Sequence, residues 1–573
     1  MTPRWSRAGA AVVIAAACTW PALAAAQGAA DLERARAAVE RREFDTALAL
    51  YERLLRIRAH DADLWIEAAR VSGFADRNAE AAARYRRVLD IAPARRADVL
   101  PSLAWQTLWS GDAASAASLF DEATRTAADR AEAFDGLGQA RDALGDAEGA
   151  IVAWRASLAL RPAQPALERR LARALMWQGR HGEADALLAQ TLQRDGPDRG
   201  TAWLRVKNWN LGGRHHDAAV GFERLGGPTN ADERFDVAKS WAWSGFDERA
   251  LALLADTDDE EARWWRDHRV RRETQPLADA AIEHSTDADD LDSTRVVAGF
   301  GWRASPGSTA RLALRSVELR SPDARSDGRE LHASWRRRFG APGEAGGVWW
   351  PSFGLRASRW DGWSPWTGDA RVTWVPRDGW RVDAEAARGL VETPKAIAER
   401  VTVGTLALGV DHRPDHRASL ALGLAALRFD DGNRRERVYG RADWRLPLPL
   451  PWRVGVEAMA FDSSRPTSAT VPDRGYWNPA SYREARLFTA IDFEQRPWDV
   501  AARLALGTSR EVDGDGVASR GRPHLWELAV GRDLGATARV RAVVGGSGSG
   551  FGLTGGGSGY WRRYASLNLQ AWF

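Results

Sequence analysis

Two short stretches of the sequence combine aromatic, amide and carboxylate side chains in a way that suits contact with a sugar. The candidate contact residues are Tyr476, Trp477, Asn478, Asp430, Asp431 and Asn433. Aromatic faces stack on the CH groups of sugar rings, while amides and carboxylates bond sugar hydroxyls. Two simpler interpretations stay open, since 430–433 also suits a hairpin turn and 476–478 also suits the folding of a long loop.

The histidines do not indicate catalysis. Those in the second half of the chain are His284, His332, His412, His416 and His524, and no Ser–His–acid spacing accompanies them. His215 and His216 are adjacent, so their side chains would diverge on a helix and would not share a metal ion. The glycine-rich stretch 545–558 lacks the strand and helix of a phosphate-binding loop. We therefore predict a protein that is not an enzyme and that needs no cofactor and no metal.

Alternation of apolar and polar residues fills the second half of the chain. Leu504 and Leu506 alternate with Arg503 and Ala505, which is the period of a β-strand with one apolar face. The pattern predicts sixteen strands, at 277–286, 294–303, 308–320, 328–338, 348–360, 368–377, 379–390, 399–412, 416–428, 434–446, 451–462, 482–494, 497–510, 522–532, 537–547 and 560–573. Arg503 then lies on the polar face, and we add it to the candidate substrate contacts.

The connections between these strands alternate between short turns and longer loops. The longer ones include 321–329, 463–481 and 510–521. Short turns at one rim and long loops at the other are typical of an antiparallel transmembrane β-barrel, and sixteen strands enclose an aqueous lumen. In this arrangement Leu567 and Leu569 face lipid. Phe573 resembles the terminal aromatic residue that the barrel assembly machinery reads in outer-membrane proteins, so we expect it to act as an assembly signal.

The first half of the chain repeats a helical pattern. An alanine recurs at intervals of 32–35 residues, and a large side chain follows each one four residues later. These repeat anchors are Ala47, Ala81, Ala116, Ala150, Ala184, Ala218 and Ala250. Alanine lets two antiparallel helices approach closely, and the residue four positions on covers the same helix face. The pattern resembles the tetratricopeptide repeat, which predicts an α-solenoid with a concave groove.

The N-terminal residues have the composition of a secretory signal peptide. Arg4 and Arg7 precede an apolar run, and small residues lead to a cleavage position after Ala26. Cys18, the single cysteine, lies within this stretch, and lipid attachment there is the alternative. The predicted organisation is a signal peptide at 1–26, repeats at 28–262, a linker at 263–276 and a barrel at 277–573. The net charge of +3 gives no indication of nucleic-acid binding.

A repeat array followed by a barrel resembles the tetratricopeptide-repeat porins that export exopolysaccharides across the outer membrane. The resemblance is strongest to exporters of poly-β-1,6-N-acetylglucosamine, and the cellulose exporter subunit is the next candidate. The matching motif positions are Thr393, Pro394, Phe429, Asp431, Gly432, Asn433, Tyr476, Trp477, Asn478 and Pro479. The repeat array is shorter than is usual in that family, which bears on how a periplasmic partner would attach.

The resemblance implies a location in the outer membrane, with the repeats in the periplasm and with outer-membrane lipid around the barrel. It implies a secreted biofilm polysaccharide as cargo. It also implies that the repeats either bind a periplasmic polysaccharide-modifying protein or guide the polymer. Two alternatives remain: a general pore or surface receptor whose repeats scaffold an envelope complex, and a barrel enzyme acting on lipid or polymer.

Overall fold

A computed structural model describes residues 27–126, 129–448, 450–548 and 553–573, so the predicted signal peptide lies outside the described residues. The first part of the described chain is helical. Its helices are α1 (27–40), α2 (Phe44–Ile57), α3 (Ala62–Phe74), α4 (Asn78–Ile91), α5 (Arg96–Trp109), α6 (Ala113–Thr126), α7 (Arg130–Ala143), α8 (Ala147–Leu160), α9 (Pro165–Trp177), α10 (His181–Asp195), α11 (Arg199–Leu211), α12 (His215–Arg224), α13 (Ala231–Trp243), α14 (Asp247–Leu253), α15 (Glu260–Trp265) and α16 (Arg271–Thr274). In the described part of the chain, none of the helices has both the length and the apolar character needed to span a membrane.

The alanine frame explains why these helices pack in pairs. The predicted anchors Ala47, Ala81, Ala116, Ala150, Ala184, Ala218 and Ala250 are all 0% exposed. Small residues on neighbouring helices make similar close contacts, because a Cβ atom at Gly138 would lie only 2.3 Å from the Trp154 indole nitrogen. Side-chain caps begin several helices, as where Asp146 accepts a hydrogen bond from the Gly149 amide. The predicted α-solenoid is confirmed.

The chain forms two compact units, Met1–Arg205 and Val206–Phe573. The second unit therefore holds the last helices of the array together with the barrel. The segment 263–276, which the sequence indicated as a linker, is largely helical: the end of α15 is followed by a π-helical turn at Arg266–Val270 and then by α16. The organisation into repeats, linker and barrel stays a prediction.

The rest of the second unit is a single antiparallel sheet that closes on itself. Its strands are β1 (Leu277–Asp287), β2 (Asp292–Ser305), β3 (Ser308–Ser321), β4 (Ala324–Arg337), β5 (Val348–Arg359), β6 (Trp366–Val375), β7 (Trp380–Leu390), β8 (Thr402–His412), β9 (Ala418–Phe429), β10 (Arg434–Arg445), β11 (Trp452–Ser463), β12 (Ser481–Gln495), β13 (Trp498–Val512), β14 (Ala518–Gly521), β15 (His524–Asp533), β16 (Ala538–Ser547) and β17 (Arg562–Trp572). Closure comes from β1, which pairs with β2 on one side and with β17 on the other. Both β14 and β15 pair with β13, so they share one position and the barrel has sixteen.

Two predicted connections differ from the structure. The expected loop at 321–329 is a tight turn, because Ser321 pairs with Ala324 and both strands continue to that point. The expected loop at 510–521 is mostly strand, because β13 extends to Val512 and β14 pairs with its end. Pro523, which has no amide hydrogen for the ladder, lies in the gap between β14 and β15.

The two faces of the barrel wall have opposite chemistry. Leu504 and Leu506 on β13 are 48% and 60% exposed on the outer face, whereas Ala505 between them is 1% exposed on the inner face. Leu567 and Leu569 on β17 are exposed in the same way. An outer surface of exposed aliphatic side chains is stable only in lipid, and a closed sheet leaves no unpaired strand edge there. The barrel therefore spans a membrane.

Candidate functional site in the barrel lumen

The barrel has two different rims. At the helix-side rim, α16 leads into β1. At the opposite rim, three connections interlock, and we call residues 391–401, 430–433 and 464–480 the cap. The cap begins with a short helix, α17 (Pro394–Ala398), whose N-terminus is capped by the Thr393 hydroxyl accepting from the Ala396 amide. The cap thus gathers the three stretches that carried most of the sequence motifs.

Helix α17 lies inside the barrel. Ala396 packs into an apolar cluster with Val403, Phe429 and other residues of the β8–β9 wall. The next residue, Ile397, packs with Val317 and Leu319 of β3 and with Trp360. A helix that contacts both walls narrows the lumen at this rim.

Glu392 ties the same loop to the far wall. Its carboxylate accepts hydrogen bonds from Arg315 at 2.6 and 2.8 Å and from Arg295 at 3.2 Å. Burial alone would raise the pKa of Glu392, but the hydrogen bonds from Arg315 hold that pKa below its usual range. The loop is therefore fixed by a charged group as well as by apolar packing.

The structure brings four predicted contact residues together. The Tyr476 ring stacks on Phe429 with centroids 4.4 Å apart, and its hydroxyl donates to Asp431 at 2.7 Å. The Asn433 amide donates to the Tyr476 hydroxyl at 3.2 Å and to the Asn478 side chain at 2.9 Å. Tyr476, Asn433 and Asn478 are all buried. Burial, followed by the bond to Asp431, raises the pKa of Tyr476. These residues bond to one another, which fixes the cap.

The remaining cap residues lie at the edge of this network. The Trp477 indole N–H donates to Glu511 at 3.2 Å, and its ring meets Phe461 and Tyr482 edge-on. Trp477 is half-buried, and Asp430 is exposed with Arg474 3.7 Å away. Of the six cap residues predicted to contact a sugar, only Asp430 is exposed, and Trp477 and Asp431 are half-buried.

One glycine is required where the cap loops meet. Gly475 has φ +80°, and a Cβ atom there would lie 2.6 Å from the Ala396 nitrogen. Its carbonyl also accepts a hydrogen bond from the Thr393 hydroxyl at 2.6 Å. Only glycine lets the 464–480 loop approach the start of α17 this closely.

Arg503 belongs to a different cluster, on the inner wall. Its guanidinium pairs with Glu457 at 2.5 Å and lies over the Phe488 ring at 4.7 Å. Glu457 also pairs with Arg486 at 2.7 Å. Arg503 faces the lumen and Leu504 faces outward, and a contact between Arg503 and the substrate stays a prediction.

The histidines of the barrel are dispersed. His284 bonds Thr294 and His412 bonds the Gly379 carbonyl, at distances of 3.1 Å in both cases. His332 lies on β4 and His524 on β15. In the described ranges no group of three or more His, Cys, Asp or Glu side chains is placed to hold a metal ion.

Charged residues fix the last helices of the array to the helix-side rim. Asp378, in the turn between β6 and β7, accepts hydrogen bonds from the amides of His216 and Asp217 at 3.1 and 2.8 Å, so a barrel residue caps the start of α12. Although burial opposes it, the contact with His216 holds the pKa of Asp378 below its usual range. Arg496 forms a bidentate salt bridge with Glu261, in which both N···O distances are 2.6 Å, and its guanidinium lies over the Trp264 ring.

The first unit presents large apolar side chains at one repeated position. Phe74, Trp109 and Trp177 are the last residues of α3, α5 and α9, and they are 54%, 57% and 79% exposed. Sequence reasoning followed the buried alanine frame and missed this exposed series. The signal in the sequence was the spacing of these residues, which is about one repeat from Phe74 to Trp109 and two repeats from Trp109 to Trp177.

Phe573 and Glu392 lie at opposite rims of the barrel. The Phe573 side chain is exposed, and its amide donates to the Pro276 carbonyl at 3.1 Å. The sequence around Glu392 does not indicate its ion pairs, because its partners Arg315 and Arg295 lie on strands 77 and 97 residues away.

No protein-family model and no curated protein sequence matches this chain. Among solved structures, one described as a bacterial polysaccharide outer membrane secretin aligns with 52% of this chain and 99% of its own, at 11% identity and a TM-score of 0.41. A tetratricopeptide repeat protein from Parabacteroides merdae aligns with 42% of this chain and 97% of its own, at 13% identity and a TM-score of 0.34. The type IV pilus biogenesis factor PilW aligns with 41% and 97%, at 19% identity and a TM-score of 0.29. At these scores the neighbours carry no argument about what this chain binds.

Proposed function

We propose that the protein is an outer-membrane conduit that exports an exopolysaccharide, with its helical repeats in the periplasm. The observation that supports this most is the combination of a membrane-spanning barrel, a cap at one rim and helices fixed to the other. A sixteen-position barrel is wide enough for an aqueous path. The cap keeps that path narrow when no cargo is present.

The capped lumen favours export over a general pore. A general pore conducts small solutes continuously, whereas α17 and the ion pairs of Glu392 occupy the lumen here. The alternative of a surface receptor would use the outer faces of the cap, where Asp430 and Trp477 remain available. A surface receptor would not need helices fixed to the helix-side rim of the barrel.

The repeats have two proposed roles, which are to bind a periplasmic polysaccharide-modifying protein and to guide the polymer. The exposed series of Phe74, Trp109 and Trp177 supports a binding role, because aromatic faces suit both sugar rings and apolar side chains of a protein. The narrower expectation, a poly-N-acetylglucosamine-like polymer, remains a prediction about the cargo.

The proposed function is tested by deleting the gene and measuring secreted matrix polymer in the wild type, the deletion strain and a complemented strain. Export predicts that the secreted polymer disappears while its intracellular precursor continues to be made. Membrane fractionation should place the protein in the outer membrane. Normal secretion in a strain lacking this protein and any paralogue would contradict export and favour the receptor.

A further inference from the structure

The lumen contains a cavity at the helix-side rim. It has a volume of about 580 Å³ and lies between the segment 268–277 and the inner wall of β2 to β6, with contributions from β16 and β17. We call it the vestibule. Its volume falls within the ~300–1,000 Å³ range of small-molecule sites. A polymer that enters the barrel from the helix side meets this cavity first.

Guanidinium groups dominate the charged lining of the vestibule. The arginines that line it are Arg269, Arg272, Arg303, Arg311, Arg336 and Arg539. Two carboxylates, Glu273 and Asp369, line it as well. Trp572 adds an aromatic face, and Arg272 lies 4.5 Å from the centroid of its ring.

The acidic partners of these arginines stand behind the lining. Asp279 makes a two-point bond to Arg311 at 2.6 and 3.1 Å, Asp533 bonds Arg272 at 2.7 Å, and Asp499 pairs with Arg539. None of these three carboxylates lines the cavity. Arg272 also donates to the carbonyls of Ala536 and Gly535, whereas Arg311 and Arg539 each bond a single carboxylate. A guanidinium has five N–H donors, so Arg311 and Arg539 can still donate toward the cavity. Most of the charged groups that a ligand would meet in the vestibule are therefore donors.

Two of the arginines have little compensation. Among the described residues Arg336 has no ion-pair partner, and Arg303 has Asp247 at 4.0 Å. Burial, and after it the neighbouring Glu273 carboxylate, raises the pKa of Asp247 to about 7. At neutral pH Asp247 thus carries only part of a negative charge. Six guanidinium groups and two carboxylates line the cavity, so the surface that a ligand contacts favours an anion.

We propose that the vestibule is a binding site for the carboxylate-bearing sugars of an acidic polysaccharide. The proposal rests on the export function and assigns the cargo a negative charge, which a poly-N-acetylglucosamine-like polymer does not carry; the two cargo predictions are therefore alternatives. Carboxylates match the fork geometry of guanidinium groups, and the ring faces of the same sugars suit Trp572. A polymer with free amines would meet arginines first and be repelled.

The test uses the full-length protein in detergent micelles and isothermal titration calorimetry. Three oligosaccharides of equal length serve as probes: tetragalacturonate, the N-acetylglucosamine tetramer and the glucosamine tetramer. We expect tetragalacturonate to bind tightest and the glucosamine tetramer to bind weakest. Tightest binding of the glucosamine tetramer, or equal binding of the neutral and acidic probes, would overturn the charge class while leaving polysaccharide export intact.

A matched pair of variants tests the location. Arg336→Gln should weaken tetragalacturonate binding about tenfold, the effect expected from losing one unit charge beside a ligand, and should leave the neutral probe unchanged. Arg337→Gln, one residue away on the outer face of β4, should change neither. Should Arg336→Gln fail to assemble, Arg303→Gln replaces it with the same expectation. Unchanged tetragalacturonate binding by an assembled vestibule variant would refute the site. Failure of the unaltered protein to bind any of the three probes would refute it as well. Neither outcome bears on export, which the gene deletion tests separately.

Discussion

At the residue scale, the cap depends on hydrogen bonds between side chains that the sequence indicated as sugar contacts. Tyr476 is central, because its ring covers Phe429 while its hydroxyl joins Asp431 and Asn433. Tyr476→Phe keeps the ring and removes both bonds. We expect it to destabilise the cap by about 1 kcal/mol and to increase leakage through the lumen, because the half-buried Asp431 carboxylate loses a donor and the buried Asn433 amide keeps only its bond to Asn478. Single-channel conductance in planar bilayers measures the leakage.

Tyr564→Phe is the control for this change. Tyr564 donates to Glu527 at 2.6 Å on the inner wall and does not take part in the hydrogen bonds around Tyr476. This variant loses the same chemical group, so it should cost similar stability without raising conductance. Equal conductance in the two variants would show that Tyr476 does not hold the cap.

Asp247 should make the stability of the folded protein depend on pH. Its pKa is raised to about 7 by burial, then by Glu273, with Glu248 in the same sense and Arg303 in the opposite sense. A carboxyl with a raised pKa in the folded state favours folding when protonated, so stability should fall as pH rises from ~4 to about 7. Asp247→Asn should remove this decline and be the more stable form at pH 8. Thermal unfolding between pH 4 and 8 measures the difference; parallel curves would contradict it.

At the element scale, α17 is held by apolar packing on two walls and by Glu392. Glu392→Gln removes the negative charge between Arg295 and Arg315, so these two partly buried guanidiniums keep only their longer ion pairs, with Glu283 at 3.3 Å and Glu330 at 3.8 Å. We expect the loop to leave the lumen more often and large hydrophilic antibiotics to enter the cell more readily. Antibiotic susceptibility measures entry. Glu318→Gln, which alters an ion pair on the outer face of β3, should have no effect.

The sequence predicted the elements better than the contacts between them. Each strand shows its two faces through local alternation, as with Leu504 and Ala505, and the alanine frame sets the helix pairs within one repeat. The tight turn at Ser321–Ala324 was missed because Pro322 and Asp323 made the polar run look like a longer loop.

The candidate site was only partly predictable, because it depends on contacts between distant elements. The motifs placed Tyr476 and Asn433 in loops, but a sequence does not show that two loops fold inward and bond to each other. Glu392 and Arg315 are 77 residues apart, and the partners of the vestibule arginines are similarly distant. Lumen chemistry depends on which strands face one another across the barrel, which follows from closure and not from local pattern.

At the scale of the whole molecule, the boundary between the compact units falls within the repeats. Residues from 206 onward belong with the barrel. Asp378 and Arg496 of the barrel bond to residues of α12 and α15, and Arg272 of α16 bonds to Asp533 at the end of β15. The last repeats thus act structurally as part of the barrel. We therefore expect the second unit to assemble without the first.

Removal of residues 28–196, with the signal peptide retained, tests what the first unit contributes. The cut precedes α11, so each helix of the second unit stays whole. We expect the shortened protein to assemble, because its strands, closure and rim contacts are all retained, and to resist detergent on unboiled gels as a closed barrel does. Export should fall strongly, since the exposed series of Phe74, Trp109 and Trp177 is lost.

Secreted polymer is measured at matched protein levels, and replacement of these three residues by alanine in the full chain provides the comparison. Full export by the shortened protein would refute a role for the first unit, whereas failure to assemble would refute the independence of the second.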